Sequence, residues 1–257
     1  MLADGSSLRW FAGHRSNFQG DSMMSGVLSA LSSAISPDAV IVLTDGAVYD
    51  RDGTLLKVAR KVAVSERLPL AVAYRGNLDF GEDVSQRIIA AAERSGFDQM
   101  LAEIAAALPW LPSSPMLEIL IAGVSEAAGP MHRMFQNRPA KYGCAPSTLM
   151  DPGPMHWGFG TDGRTINLEA IGVPPPSGDH TIQAWLSRYG VRVFEYFRNL
   201  PVPIDPFDPT TDRQHLIGGI LDMTVVQRGS VATTMLHRWP DKVGEKINPS
   251  RQLSHVA

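Results

Sequence analysis

Histidine is the side chain most often recruited for metal binding and for proton transfer near neutral pH, and this chain carries seven, His14, His132, His156, His180, His215, His237 and His255. No two stand four residues apart on one helix, so the pattern offers no zinc-type motif and a metal site is not expected. Cys144 is the sole cysteine, which excludes an intrachain disulfide and any cysteine cluster for zinc or iron–sulfur. Gly158-Phe159-Gly160-Thr161-Asp162-Gly163 has the glycines of a phosphate loop but neither its lysine nor its strand-to-helix setting, so a turn is expected and no cofactor. Composition and local pattern alone single out neither Asp45 nor Lys61. Taken singly, Asp45-Gly46 is a common turn pair and Lys61 a common surface residue. Held together in an interior they become an ion pair, because removing one partner strands a buried charge at a cost of ~3–5 kcal/mol.

The elements that must position these residues follow from periodicity. Ala39-Val40-Ile41-Val42-Leu43-Thr44 is a β-branched apolar run stopping at Asp45-Gly46, as a buried strand does on entering a turn. Ala47-Val48-Tyr49 continues extended, and Asp50-Arg51-Asp52-Gly53 turns the chain with glycine at the position that tolerates positive φ. Residues 54–58, 61–65 and 70–74 complete a β-meander. From Asp79 the period lengthens: Val84, Ile88, Ile89 and Ala92, then Met100, Leu101, Ile104 and Leu108, predict two helical stretches broken at Gly96 and ended by Pro109. A hairpin of 116–124 and 131–135 turns at Gly129-Pro130, and 138–154 reads as loop. A helix over 179–200 carries Ile182, Trp185, Leu186, Tyr189, Val193, Phe194 and Phe197, and a proline run from Pro201 to Pro209 stops it. Gly218-Gly219, a strand over 220–227, the turn Arg228-Gly229-Ser230 and a strand over 231–237 close the chain. Trp157, Trp185 and Trp239 are expected to anchor a core.

Strands, helices, strands, helix, strands excludes regular βαβ alternation and predicts antiparallel sheets. Two sheets face to face, covered by a helical layer on each side, would bury every apolar stripe; 79–108 covers one side, and 179–199 is allowed on that same side. With 44% hydrophobic and 19% charged residues, the 257-residue chain suffices for one substantial core. A formal charge of −3 gives no concentrated basic surface for nucleic acid. No apolar run reaches the ~18 residues of a membrane span. Met1 to Gly20 lacks the basic-then-apolar build of a secretory signal. An arm or pro-segment is expected at 1–28, one domain at 29–247 and a polar tail at 248–257.

The passage from Val40-Ile41-Val42-Leu43-Thr44-Asp45-Gly46 through Ala59-Arg60-Lys61-Val62 to Ala71-Val72-Ala73-Tyr74-Arg75-Gly76 resembles the core of proteasome β-type subunits and their simpler bacterial relatives, the N-terminal-nucleophile (Ntn) hydrolases. Ile119-Leu120-Ile121-Ala122-Gly123-Val124 followed by Gly129-Pro130-Met131-His132-Arg133-Met134 is similar to that family's central hairpin. The resemblance implies an α+β fold, a four-layer αββα sandwich of two antiparallel sheets. It also implies a site: Asp45, Lys61 sixteen residues on, Gly76 at the strand-to-helix turn, and a nucleophile sixteen residues before Asp45, at Ser29. In that chemistry the free α-amine of residue 29 is the base, Lys61 polarises the hydroxyl, Asp45 fixes Lys61, and Gly76 offers an N–H to the oxyanion.

With residues 1–28 attached, however, the nitrogen of Ser29 is an amide and cannot be a base. The family's usual nucleophile is threonine, and Ser29 sits among Ser32 and Ser33. The expectation is therefore a non-proteolytic structural or accessory protein, assembled as a homo-oligomer or ring. Asp45-Gly46-Ala47-Val48-Tyr49-Asp50 and the closing Leu236-His237-Arg238-Trp239-Pro240-Asp241 also resemble uncharacterised proteasome-like proteins encoded among phage and prophage tail genes. That implies a virion location, beside other tail proteins, in place of a cytoplasmic one. The alternative is a self-processing serine/threonine peptidase or amidohydrolase that removes residues 1–28.

Overall fold

A computed structural model describes residues 30–138, 145–158, 167–178, 180–204 and 210–250. The expected arm, the candidate nucleophile Ser29, Cys144, most of the 158–163 glycine run and residues 251–257 lie outside the described residues.

The meander begins one strand earlier than the pattern predicts. Strands β1 (Leu31–Ile35), β2 (Ala39–Asp45), β3 (Ala47–Tyr49), β4 (Leu55–Val58), β5 (Val62–Val64) and β6 (Leu70–Gly76) precede helices α1 (Leu78–Ser95) and α2 (Phe97–Ala107). Then come β7 (Leu117–Ser125), β8 (Gly129–Gln136), β9 (Met155–Gly158), helix α3 (Ile182–Arg198), the short β10 (Val202–Pro203) and β11 (Arg213–Gln214), and the closing hairpin of β12 (Ile220–Gln227) and β13 (Ser230–Arg238). The fold is α+β, and the pairings among these strands are antiparallel. Five strands form one sheet in the order β13-β12-β2-β1-β9, and four form another in the order β5-β6-β7-β8. Among the described residues no helix is long and apolar enough to cross a membrane.

Local chemistry sets the helix ends. Asn77 caps α1 by accepting the Phe80 N–H at 2.9 Å. Gly96, at φ 89°, adopts a backbone conformation side chains resist, and so separates α1 from α2. The freed N–H groups of Phe97 and Asp98 donate to the carboxylate of Glu126, at 2.7 and 2.8 Å. Glu126 lies in the turn between β7 and β8, so the hairpin itself caps α2 with a negative charge at the positive end of the helix. That turn is at residues 126–128, and Gly129-Pro130 belongs to β8, with Gly129 paired to Ser125.

Period-two alternation divides the apolar side chains of each sheet between two clusters. Val72, Tyr74, Ile119, Ile121 and Phe135 of the four-stranded sheet pack with Phe80, Val84, Ile88, Phe97, Met100 and Ile104 of α1 and α2. Ile41, Leu43, Leu221 and Met223 of the five-stranded sheet pack with Trp185, Leu186, Val193, Phe194 and Phe197 of α3, and with Trp239. The intervening residues Leu31, Val40, Val42, Ala71, Ala73, Leu120, Ala122, Met134 and Val226 join both sheets in a third cluster. The last helix therefore does not share a side with 79–108: α3 covers a different sheet from α1 and α2.

Strands β1 and β9 escaped the pattern because they hide their apolar signal. The first four residues of Leu31-Ser32-Ser33-Ala34-Ile35 are buried although two of them are serines, and β9 follows directly on the Pro- and Gly-rich stretch 138–154. Within that stretch Met150 also bonds back to Met134.

Helix and sheet approach closely at Gly123, where an added Cβ would lie 2.1 Å from Phe97 Cε2. Gly123→Ala is expected to lower the unfolding free energy by ~1–3 kcal/mol, the usual cost of overpacking. Gly178→Ala, whose Cβ would meet nothing within 4 Å, should stay within ~0.5 kcal/mol of the parent in the same urea titration.

Candidate functional site

β2 ends at Asp45, and the chain turns at once through Gly46 because the space for a side chain is already filled. A Cβ there would lie 2.5 Å from Ile220 Cγ1 and 3.0 Å from the Ala59 carbonyl oxygen. Gly46 N–H donates to the carbonyls of Gly218 and Ile220, which fixes the end of β2 against the entry to β12. Lys61 stands just before β5 and its carbonyl accepts the Tyr74 N–H.

This arrangement brings the two sequence candidates together. Lys61 Nζ lies 3.2 Å from Asp45 Oδ1, with 4% of the lysine side chain and none of the carboxylate exposed. Lys61 Nζ also donates to the carbonyl of Ala47. The carboxylate has about four lone-pair positions, and four donors meet it. Ala30 N–H (3.0 Å) and Lys61 Nζ approach Oδ1, while Ala47 N–H (3.2 Å) and Gly218 N–H (3.1 Å) approach Oδ2. Burial pushes the Asp45 pKa up while Lys61 and the amides of Gly218 and Ala47 pull it back. Burial likewise pushes Lys61 down against the pull of Asp45. Each charge is tolerable in the interior because of the other.

Gly76 closes β6, two residues beyond the Tyr74 that bonds to Lys61, about 7 Å along the strand. Its φ of 109° and an added Cβ only 2.3 Å from the Met116 carbonyl oxygen make glycine obligatory there for backbone reasons alone. The structure thus joins Asp45 to Lys61, sets Gly76 further along β6, and leaves Ser29 outside the described residues, one position before the Ala30 whose N–H reaches Asp45.

Pattern reasoning did not predict a second buried ion pair joined to the first through one short segment. Arg198, at the end of α3, donates from Nη1 to Asp241 Oδ2 at 2.9 Å and to the Ile217 carbonyl at 2.6 Å, and from Nη2 to Asp241 Oδ1. Its guanidinium lies 5.2 Å from the ring centre of Trp239. Gly219 N–H then donates to Asp241 Oδ2 at 2.8 Å. Gly218 and Gly219 therefore feed one carboxylate each, and a Cβ on Gly218 would strike Asp241 Oδ2 at 2.4 Å and Arg198 Nη1 at 2.6 Å. The glycine pair was the only sequence signal of this junction.

A third polar group ties the sheets together. Arg75 Nη2 donates to Glu118 Oε2 at 2.6 Å and Nη1 to the Gly158 carbonyl at 3.1 Å. Nearby, Ser33 stands opposite His156 across β1 and β9. His132 bonds through Nε2 to the Gly153 carbonyl. Ser33 Oγ, Glu118 Oε1, His132 Nδ1 and His156 Nε2 are buried without a hydrogen-bond partner among the described residues. No group of three His, Cys, Asp or Glu side chains is placed to hold a metal ion among them.

No protein-family model and no curated protein sequence matches this chain.

Two outcomes follow. Lys61→Met should cost ~3–5 kcal/mol in urea unfolding, whereas Asp45→Asn combined with Lys61→Met should cost less than the two single changes added together. The histidines predict a pH dependence. Burial holds His132 and His156 below the ordinary value of 6.5, so the unfolded chain takes up these protons first. The stability they contribute is present above pH 6.5 and is lost as the pH falls through 6.5 toward the lowered folded values. Replacing both by Gln should flatten the unfolding free energy between about pH 7 and about pH 5.

Proposed function

We propose that this chain is a proteasome-like Ntn sandwich of four layers, αββα. On this reading it is not a working protease but a structural or accessory protein, a self-assembling component of a phage tail or virion. The observation that carries the non-catalytic reading is the saturation of the Asp45 carboxylate: three backbone amides and Lys61 fill its acceptor positions. The pair is thereby accounted for as a clamp on three chain segments, with no substrate needed to explain it.

Two observations support the fold reading. The three apolar clusters alternate between the faces of the two sheets, and the sixteen-residue spacing of Asp45 and Lys61 closes a 3.2 Å ion pair. The chemistry of Ser29 supports the loss of catalysis. While residues 1–28 are attached, its nitrogen is an amide whose lone pair is delocalised into the carbonyl, so the base that nucleophilic attack requires is missing.

One observation favours the alternative, a self-processing serine-type amidohydrolase. Ala30 N–H and Lys61 Nζ converge on the same oxygen of Asp45, so the backbone position next to Ser29 lies at the ion pair. The two readings separate in one experiment. Full-length protein is incubated with a peptide library and a serine/threonine-reactive covalent probe, and its intact mass is followed. The structural reading expects no turnover, no adduct at Ser29 and no loss of residues 1–28. Turnover that falls by ~10²-fold or more in Ser29→Ala or Lys61→Ala would establish the hydrolase instead.

A further inference from the structure

A β-sheet edge exposes unpaired N–H and C=O groups, and proteins shorten, cover or charge their edges to prevent another strand from adding. Three of the four edges of the main sheets are managed in this way. β5 has three residues and β9 has four. β8 is longer, but Met150 bonds to Met134 in both directions, and Ser147 N–H donates to the Gln136 carbonyl.

β13 is the exception. It runs nine residues, Ser230-Val231-Ala232-Thr233-Thr234-Met235-Leu236-His237-Arg238, and pairs only with β12 among the described residues. It has no Pro, Lys, Asp or Glu anywhere, and no charge before Arg238. Three of its residues, Val231, Thr233 and Thr234, are β-branched, and Met235 is 47% exposed.

We propose that β13 is an assembly surface whose partner is β13 of a second copy of this chain, added antiparallel about a two-fold axis so that one sheet runs through both molecules. An antiparallel strand pair is self-complementary under a two-fold axis, which is why an isologous contact needs no second surface. The side chains select the register. Val231, Thr233 and Met235 share one face, being paired to Val226, Thr224 and Asp222 of β12. Centring the axis on Thr233 sets Val231 of each copy against Met235 of the other, an apolar cross-strand pair made twice, with Thr233 facing its own copy. Ser230–Leu236 carries no charged residue, and the like charges this register brings together, Arg238 of each copy and Arg228 of the other, lie at the two ends of the paired strands. This names the surface for the assembly reading above, and it stands apart from the Asp45–Lys61 site, so its failure leaves the test of hydrolysis unaffected.

The experiment uses the full chain in sedimentation or light scattering across a concentration series. The parent is expected to populate a dimer or an even-numbered assembly. Met235→Lys, which places a charge on the exposed edge, should weaken that association by about tenfold or more with an unchanged circular dichroism spectrum. If Met235→Lys does not fold, Thr234→Lys, exposed on the other face of the same strand, gives the same readout. In a Cys144→Ser background, Thr233→Cys should form a disulfide-linked dimer on mild oxidation, because the two-fold axis sets the residue against itself. Thr234→Cys, opposite Ala232, should not. A monomeric parent at all concentrations overturns the proposal. So does an assembly that Met235→Lys leaves intact and Thr233→Cys fails to cross-link.

Discussion

One buried carboxylate sets what the surrounding chain must do. Asp45 has lost all contact with water, and an ionised carboxylate in that position costs several kcal/mol unless its lone pairs are met. One donor is local, the Ala47 N–H two residues on; the fold supplies the others from further away in sequence, the entry to β1 at Ala30, Lys61, and the turn before β12 at Gly218. Those donors reach the carboxylate only if β2 lies between β1 and β12, which is its observed place in the sheet. Gly218 and Gly219 carry the constraint onward to Asp241 and Arg198, and so to the end of α3. The position of a helix on one outer face is thus fixed by the same segment that satisfies the carboxylate.

Much of this was legible in the sequence where periodicity is strong. The runs at 39–44, 70–74 and 220–227, and the stripes at 84–108 and 182–197, became elements close to their expected bounds because apolar spacing alone determines them. Asp45 and Lys61 were marked only by the family resemblance, since a turn pair and a single lysine carry no signal of their own. β1 was not, because Ser32 and Ser33 are buried without the apolar signature that marks burial, and β9 was masked by the prolines and glycines before it. The Arg198–Asp241 pair was illegible for another reason: its partners are 43 residues apart, and no local pattern announces a long-range ion pair. Asp222 was missed in the same way. It is buried within an apolar strand, with Arg60 Nε 3.2 Å from its carboxylate, and burial raises its pKa against the pull of that guanidinium.

Polar groups between the sheets give this interior a character that area burial does not describe. Arg75 and Glu118 link the end of β6 and the start of β7 to Gly158 on the other sheet. Ser33, His132 and His156 add unsatisfied atoms beside them. Apolar contacts between two sheets tolerate sliding, but a hydrogen-bonded ion pair aimed at one carbonyl does not, so this group favours one alignment of the sheets over its neighbours.

The bond from Gly218 to Asp45 joins residues 173 positions apart, and β2 is flanked by β12 as well as by β1. During synthesis every element before β12 can emerge with β2 still open on one side and Asp45 still lacking one of its donors. A ribosome adding ~5–20 residues each second needs on the order of ten seconds or more to deliver β12. For that interval a strand that ends wholly buried is an unpaired edge, and non-local closure of this kind is slow even once the chain is complete. The arrangement that makes the finished site rigid therefore leaves the nascent protein dependent on something else to shield β2, and sets its exposure to aggregation by the rate of translation rather than by the stability of the native state.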